Sequence, residues 1–315
     1  MNSVPRQLAT FGAVLAVLFA GGVLAGQLID PDTSGDAGGA HAAEGGHGEM
    51  TSSPEGDHAP APAAEGGHGE MTSSPEGDHA PAPAAEVRGL AVADGGLRVE
   101  VVDPELRRGR RRSLGFRILD ADGQAVRDYD VTHERRMHLI VVRRDLGGFQ
   151  HLHPVLGADG TWTAPVTLDE AGSYRLFADF SHGGRAVTLA SDLRVDGAAD
   201  LRPLPAARSE AVSDGGYDVR LDAGAPRSAR ESELRFSIAR DGEPVQTEPY
   251  LGAGGHLVAL REGDLAFLHV HPTEHRKGAV GFAATFPTEG RYRLFLQFKH
   301  EGRVQTVAFT QEVGR

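Results

Sequence analysis

Residues 171–177 read AGSYRLF and residues 289–295 read EGRYRLF, so one short motif occurs twice in the chain. In each copy the tyrosine begins a run in which every second residue is apolar until a histidine ends it. Side chains two positions apart on a β-strand point to one face of the sheet. Each run therefore predicts a strand with its apolar face on a core: Tyr174, Leu176, Ala178, Phe180 and His182, then Tyr292, Leu294, Leu296, Phe298 and His300.

The sequence around both strands repeats in the same order, which predicts an internal duplication. Each half holds about seven short alternating segments separated by turn dipeptides, a pattern typical of immunoglobulin-like sandwiches. We predict an all-β fold, with two tandem immunoglobulin-like antiparallel β-sandwich modules after an N-terminal membrane helix and a disordered linker. The predicted boundaries are 87–195 for module 1, 196–213 for a connecting linker and 214–315 for module 2.

The N-terminal segment is apolar and uncharged over residues 8–29, with Arg6 before it and Asp30 after it. Such a length suffices to cross a bilayer as a helix. We predict a signal-anchor, transmembrane helix over residues 1–29, with a single pass and an extracytoplasmic C-terminal head at the cell membrane. A cleaved secretory signal is the alternative, because residues 23–25 (VLA) form an acceptable cleavage site; the protein would then be secreted.

Residues 30–86 are predicted to be a disordered linker, since they are rich in Gly, Ala, Pro and Glu and lack large apolar side chains. Residues 44–64 recur unchanged as residues 65–85. The repeats carry histidines and methionines that suit auxiliary capture of copper, namely His47, Met50, His58, His68, Met71 and His79. A solvated linker without metal is the alternative.

Composition excludes several functional classes. The chain has no cysteine, which excludes disulfides, zinc–thiolate sites and iron–sulfur clusters. Residues 1–86 contain twelve acidic residues and one basic residue, so the remaining 32 acidic and 31 basic residues nearly balance. A near-neutral head does not favour a nucleic-acid partner. Protein partners are not indicated by the sequence.

Histidines are repeated with matched spacing in the two halves. The segments FQHLHP at residues 149–154 and FLHVHP at residues 267–272 each put two imidazoles on one face of a strand. In each half a further histidine lies 13 residues before the pair and another lies 29 residues after it. The two sets are His138, His151, His153 and His182, then His256, His269, His271 and His300.

Hairpin geometry predicts that these histidines converge. A turn centred on 262/263 places His256 opposite His269, and a turn centred on 263/264 places it opposite His271; both registers bring the partners together. If the Tyr292 strand is the neighbour, His300 can join them at the rim, and the same arithmetic holds for module 1. We predict that the histidine clusters of the two modules bind copper, or zinc. The sequence does not indicate whether the modules bind one ion each or share one.

The alternative is that all eight are structural histidines copied by duplication. His133 and His275 have no counterpart in the repeat and are predicted to be surface residues. Asp179 has the opposite parity to the Tyr174 strand's apolar face and is predicted to face solvent.

The second module resembles a known class of bacterial exported domains. The residues are YLGAGGHLVAL at 250–260, FLHVHP at 267–272 and FPTEGRYRLFLQF at 286–298. They are similar to YtkA-like and copper-associated periplasmic or cell-surface modules, and the resemblance is weaker over residues 95–195. It implies an immunoglobulin-like, non-enzymatic domain often linked to copper handling. Methionine-containing copper carriers would have a thioether in the site, whereas only Met137 adjoins a histidine set here, with Gly255 at the equivalent position; this favours Cu(II).

The sequence therefore predicts a membrane-tethered extracytoplasmic metal-binding protein, with copper as the expected ion, acting in sequestration or delivery. A non-enzymatic cell-surface scaffold or interaction module with structural histidines is the alternative. A cupin-like metal-dependent enzyme is a further alternative, since Gly263, His269, His271 and Glu274 are close to the cupin motif but with the glutamate one residue early.

Overall fold

The computed structural model describes residues 87–268 and 270–315, and within these ranges the chain forms β-strands and connecting loops without any helix. No helix in the described part is therefore long and apolar enough to cross a membrane. The predicted membrane helix, the predicted disordered linker and His269 lie outside the described residues.

Module 1 is a sandwich of two five-stranded sheets. Its strands are β1 (Ala93–Asp94), β2 (Leu97–Val101), β3 (Glu105–Leu106), β4 (Arg112–Leu119), β5 (His138–Arg143), β6 (Gln150–Leu152), β7 (Val155–Leu156), β8 (Trp162–Val166), β9 (Gly172–His182) and β10 (Arg185–Val195). One sheet has the order β1-β2-β4-β8-β7 and the other β3-β10-β9-β5-β6. The pairing is antiparallel except that β3 runs parallel to β10.

Module 2 repeats this plan. Its strands are β11 (Glu210–Val212), β12 (Asp218–Asp222), β13 (Glu231–Arg240), β14 (Glu243–Pro244), β15 (His256–Arg261), β16 (Phe267–Leu268), β17 (Val270–Arg276), β18 (Ala279–Thr285), β19 (Gly290–His300) and β20 (Arg303–Val313). The sheets have the orders β11-β12-β13-β18-β17, with β14 on β13, and β16-β15-β19-β20. The predicted all-β fold of two immunoglobulin-like sandwiches is confirmed; β11 begins inside the segment predicted as the connecting linker.

The repeated tyrosine motif fixes one corner of each sandwich. Tyr174 donates its hydroxyl hydrogen to the Glu170 carbonyl at 2.8 Å, and Tyr292 does the same to the Thr288 carbonyl at 2.9 Å. Such a bond to backbone a few residues upstream is the tyrosine corner of immunoglobulin-like folds. The glycine two residues earlier has φ of 129° at Gly172 and 131° at Gly290, a conformation that favours glycine.

Strands β5 and β15 differ from their neighbours because both of their faces are covered. In β12 and β8 exposed and buried residues alternate, whereas all six residues of β5 are buried and so are the four central residues of β15. Their sequences contain the unbroken apolar runs LIVV and LVAL. Such runs are typical of strands buried on two sides. One face packs in its own sandwich and the other against the second module.

The modules meet through a shared apolar cluster. It contains Ile140, Val142, Leu146, Phe177 and Ala190 of module 1, Val258, Leu260, Leu265, Phe267 and Phe295 of module 2, and Leu204 between them. The Phe149 and Phe295 rings stack with centroids 3.9 Å apart, and the Phe177 and Phe267 rings lie 5.7 Å apart. Equivalent residues of the two modules are 118 positions apart in the sequence, so Phe149 corresponds to Phe267 and Phe177 to Phe295. The two ring contacts are therefore the same contact with the modules exchanged, as across an approximate twofold axis.

Candidate metal centre

Three module 1 histidines lie together at the edge of this interface. Strand pairing sets Leu139 opposite Leu152 and Ile140 opposite His151, and one step further in this register His138 is opposite His153. One ligand atom from each of His138, His151 and His153 lies within 4.8 Å of the other two. Within the described residues, this is the one group of three histidine or carboxylate side chains that close.

Hydrogen bonds on the outer side of the trio fix which nitrogens carry protons. His138 Nε2 lies 3.3 Å from the Thr132 carbonyl oxygen, which can only accept, so this nitrogen is the donor. His151 Nδ1 lies 2.6 Å from Gln297 Oε1 and donates to it. The remaining nitrogens, His138 Nδ1 and His151 Nε2, face each other at 3.0 Å, and both are left with lone pairs.

The 3.0 Å between His138 Nδ1 and His151 Nε2 matches the distance between two nitrogens bound to one metal ion. Nitrogens bound at about 2.0 Å to the same metal lie roughly 2.8–3.4 Å apart, depending on the coordination geometry. His153 Nε2 is buried and makes no hydrogen bond to any residue that the structure describes. A short turn of the imidazoles would bring the third nitrogen into the same coordination sphere.

Protons do not compete strongly for these lone pairs. Burial, and then repulsion from His151, lowers the pKa of His138 to about 3. Burial lowers the pKa of His151 to about 4, although its bond to Gln297 acts in the opposite direction. Burial and the neighbouring His138 lower the pKa of His153 to about 4. At neutral pH the three imidazoles are uncharged, which is the form that binds metals.

Two further histidines surround the trio. His256 of module 2 stacks on His138 with ring centroids 5.6 Å apart and on His151 at 4.8 Å. Burial, followed by repulsion from His151 and His138, lowers the pKa of His256 well below its ordinary value. His133, predicted to be a surface residue, is half-buried, with its ring 6.1 Å from both His138 and His256. It sits in the tight turn between Thr132 and Arg135 with φ of 51°.

The predicted grouping differs from the structure at His182 and His300. Both strands predicted to carry them are the neighbours of the hairpins, but His138 pairs with Asp179 and His256 pairs with Gln297. Paired residues share a face, so His138 and His256 lie on the outer faces of their sheets, while His182 and His300 continue the core faces. His182 Nδ1 instead contacts the Asp128 carbonyl at 2.8 Å, and His300 Nδ1 contacts the Tyr217 hydroxyl at 2.8 Å.

Of the second predicted set, His269 lies outside the described residues, and His271 belongs to a different sheet from His256. The register Ala259 opposite Leu268 is the one that would place His256 opposite His271, but β17, which begins at Val270, pairs with β18 in the other sheet. His271 is exposed on β17. Burial, and then the neighbouring His271, lowers the pKa of His133. His275, on the same strand, is exposed as predicted and hydrogen-bonds to Thr247.

Asp179 and Met137 also differ from expectation. Asp179 is half-buried on the interface face instead of facing open solvent, because module 2 covers that face. Burial raises the pKa of Asp179 to about 6, and its carboxylate accepts a hydrogen bond from Thr188 at 2.6 Å. Met137 is 1% exposed in the core of module 1, so the centre is made of imidazoles without a thioether.

Gln297 is the contact that sequence reasoning missed. It belongs to module 2, is 6% exposed and reaches a histidine 146 residues earlier in the chain. Gln297 is five residues after Tyr292, so it lies on the opposite face of the strand from the core-facing tyrosine. The neighbouring strand β15 contains the unbroken apolar run LVAL, which indicates that this outer face is also covered. Those two signals together could have identified it.

Comparisons with known proteins match only part of these features. No curated protein matches the chain. Solved structures align with TM-scores of 0.25: the Escherichia coli adhesin FdeC, at 17% identity over 71% of this chain and 66% of that one, and the Lin-41 filamin domain, at 16% over 32% and 93%. Salmonella alpha-2-macroglobulin aligns at 17% identity over 75% of this chain and 16% of its own, also at 0.25.

The chain thus spans less than two thirds of the adhesin and far less of the macroglobulin, and scores this low carry no argument about function. The resemblance to YtkA-like copper-associated modules stays a prediction. The family described as Domain of unknown function (DUF8832) matches residues 91–197 and 210–315, one segment for each sandwich. Since these segments cover more than half of the sequence, the chain belongs to the DUF8832 family.

Proposed function

We propose that the protein binds a Cu(II) ion through His138, His151 and His153 and serves in copper sequestration or delivery outside the cytoplasm. The observation that carries this proposal is the pair of opposed lone pairs on His138 and His151, 3.0 Å apart. When both outer nitrogens donate, as the contacts with the Thr132 and Gln297 oxygens favour, the two inner lone pairs repel each other, and a bound metal ion would relieve this repulsion. Each outer nitrogen donates to an oxygen, an arrangement usual for metal-binding histidines.

The ligand set favours copper over other divalent ions. Imidazole sites follow the general order of affinity in which Cu(II) exceeds Zn(II). The absence of thiol and thioether ligands among the described residues at the site favours Cu(II) over Cu(I). Zn(II) is the second ion to test, because three imidazoles and one open position also suit zinc.

The tether is part of the proposal. Residues 1–29 would anchor the chain in the cell membrane with the head outside, or would be cleaved to give a secreted protein. The acidic repeats over residues 30–86 would give the head reach, and their His and Met side chains would capture copper loosely. Metal binding is the proposed activity.

A scaffold role is the second candidate. Immunoglobulin-like tandem modules suit a surface scaffold or interaction module, and the imidazoles lie in an interface where their stacking could simply hold the modules together. The two candidates differ in one measurable property, which is metal affinity.

The test is a titration of the full-length, detergent-solubilised protein with Cu(II) and Zn(II), followed by EPR of the copper form. We expect one site of micromolar affinity or tighter, with nitrogen couplings from imidazole, that disappears in the double variant His138→Ala/His151→Ala. The matched control is His182→Ala/His300→Ala, which changes two histidines outside the trio and should retain the site. Equal binding by both double variants would assign the copper to the tether, and no binding by the wild type would favour the scaffold.

A further inference from the structure

Gln297 is held in a defined orientation by module 2. It lies on β19 between His256 and Thr306, its partners on the two adjacent strands. The side-chain Nε2 donates to the Thr306 hydroxyl at 3.2 Å, so the amide oxygen is the atom turned toward module 1. With 6% exposure the amide has little water to exchange partners with.

The amide oxygen reaches a proposed ligand of the other module. Gln297 Oε1 lies 2.6 Å from His151 Nδ1, and an oxygen acceptor at this position requires the hydrogen on Nδ1. His151 Nε2 then carries the lone pair, and this is the nitrogen that faces His138. The opposite tautomer would place a hydrogen on Nε2, where it would block coordination.

We propose that Gln297 is the positioning residue of the centre, so that module 2 sets the metal affinity of a ligand trio that belongs entirely to module 1. This inference rests on the proposed function for its metal-binding part. Its consequence is that the two sandwiches act as one binding unit, formed when their outer sheet faces are docked, and not as two independent carriers. His256, stacked over the trio, excludes water from the same side.

The equivalent residue of module 1 is an aspartate. Asp179 occupies the position 118 residues before Gln297, and Thr188 is placed as Thr306 is. A glutamine is neutral and presents an acceptor and a donor at once, so it can anchor to threonine and still orient a histidine. A carboxylate in this covered interface carries a desolvation cost and presents acceptors only. The two halves of the repeat therefore present different groups across the interface at this position.

The first experiment needs no metal. Nitrogen-15 NMR of the histidine side chains in the full-length, chelator-treated protein at pH 7 reports which ring nitrogen of His151 is protonated, with His151→Gln as the assignment control. We expect the Nδ1–H tautomer in the wild type and a shift toward Nε2–H in Gln297→Leu. Gln311→Leu is the same substitution on β20, away from the centre, and its spectrum should be the same as that of the wild type. An Nε2–H tautomer in the wild type would overturn the inference.

The second experiment uses Cu(II) titration and EPR on the same variants. Gln297→Leu should weaken binding by about 10- to 100-fold, the usual loss when such a supporting partner is removed, and should change the nitrogen couplings. Gln297→Glu keeps the acceptor and should restore the affinity. If Gln297→Leu is not folded by circular dichroism, Gln297→Met is the replacement.

The two ideas fail differently. Wild-type protein that binds no copper removes the proposed function, while the NMR result still decides whether Gln297 sets the tautomer. Copper binding that is unchanged in Gln297→Leu, in a folded protein, removes the positioning role and leaves the function intact.

Discussion

At the residue scale the centre is decided by which side of a strand each histidine occupies. His138 is 3% exposed, although it opens a strand and is polar, because the facing module covers it. Uncharged imidazoles can be buried at moderate cost when their N–H groups have acceptors, and the Thr132 carbonyl and the Gln297 amide supply them. Burial also lowers the pKa of these imidazoles, so the stability of the protein should depend on pH.

We expect the metal-free protein to lose stability as the pH falls below about 6.5, the ordinary pKa of histidine in an unfolded chain. Folding lowers the pKa of His138 to about 3, so between these values the unfolded chain binds a proton that the folded chain does not. The contribution is complete above pH 6.5 and is lost toward pH 3, with a slope of about 1.4 kcal/mol per pH unit while only the unfolded chain is protonated. Asp179, with its raised pKa of about 6, opposes part of this loss.

Urea unfolding at several pH values, in the presence of a chelator, measures this dependence. His138→Gln should reduce the slope by the contribution of one histidine and leave those of His151, His153 and His256, while His182→Gln should follow the wild type. A wild-type stability that stays constant between pH 7 and 4.5 would contradict the buried, neutral state of the trio.

At the element scale most of the structure follows from the sequence. Alternation identifies strands such as β9 and β19, and the repeated motif identifies the corner tyrosines, because both are local patterns. For the hairpin that begins at His256, counting from the turn leaves two registers, with His256 opposite either His269 or His271. The pairing of Ala259 with Leu268 is the second of these. The hairpin arithmetic does not determine that β17, from Val270 onward, pairs in the other sheet, because this depends on how the two sheets pack. The predicted position of His271 opposite His256 required the hairpin to continue to residue 271.

The turn after β5 contains a buried ion pair that supports the hairpin of the centre. Arg143 binds Asp145 through two nitrogens, at 2.8 and 2.7 Å, and the two side chains are 2% and 7% exposed. We expect Arg143→Leu to lower the free energy of unfolding by about 3–5 kcal/mol, because it leaves a buried carboxylate without its partner. Denaturant titration measures the loss.

Two control variants test whether the loss in Arg143→Leu comes from the buried ion pair. Arg185→Leu removes an exposed pair with Asp94, whose side chains are 46% and 52% exposed, and should cost less than about 1 kcal/mol. Adding Asp145→Leu to Arg143→Leu should recover part of the loss, since the buried carboxylate is then gone, while Glu170, which also pairs with Arg143 at 2.9 Å, keeps its ion pair with Arg202. A single Arg143→Leu variant as stable as the Arg185→Leu variant would show that the pair does not support the hairpin.

At the scale of the whole molecule, the docking of the two sandwiches is what sequence reasoning did not reach. Each module was predicted to hold its own histidine cluster, because the histidine spacings are the same in both halves, and the number of ions was left open. Among the residues that the structure describes, one trio lies beside an interface built from both outer faces, with His256 and Gln297 contributed by module 2. The unbroken runs LIVV and LVAL indicate a second covered face, but they do not identify what covers it, since contacts between modules leave no periodic pattern.

Because the modules share a core, we expect them to unfold together. Phe295 is 3% exposed and stacks on Phe149 across the interface, and Phe295→Ala should lower the free energy of unfolding by about 3–5 kcal/mol, the usual cost of removing a buried phenylalanine. Calorimetry and urea unfolding of the full-length protein should give one transition in the wild type. Val304→Ala, at a site 43% exposed in the same module, should change stability by no more than about 0.5 kcal/mol. Two separate wild-type transitions, with Phe295→Ala shifting only one of them, would mean that each sandwich is stable alone and that the interface does not couple them.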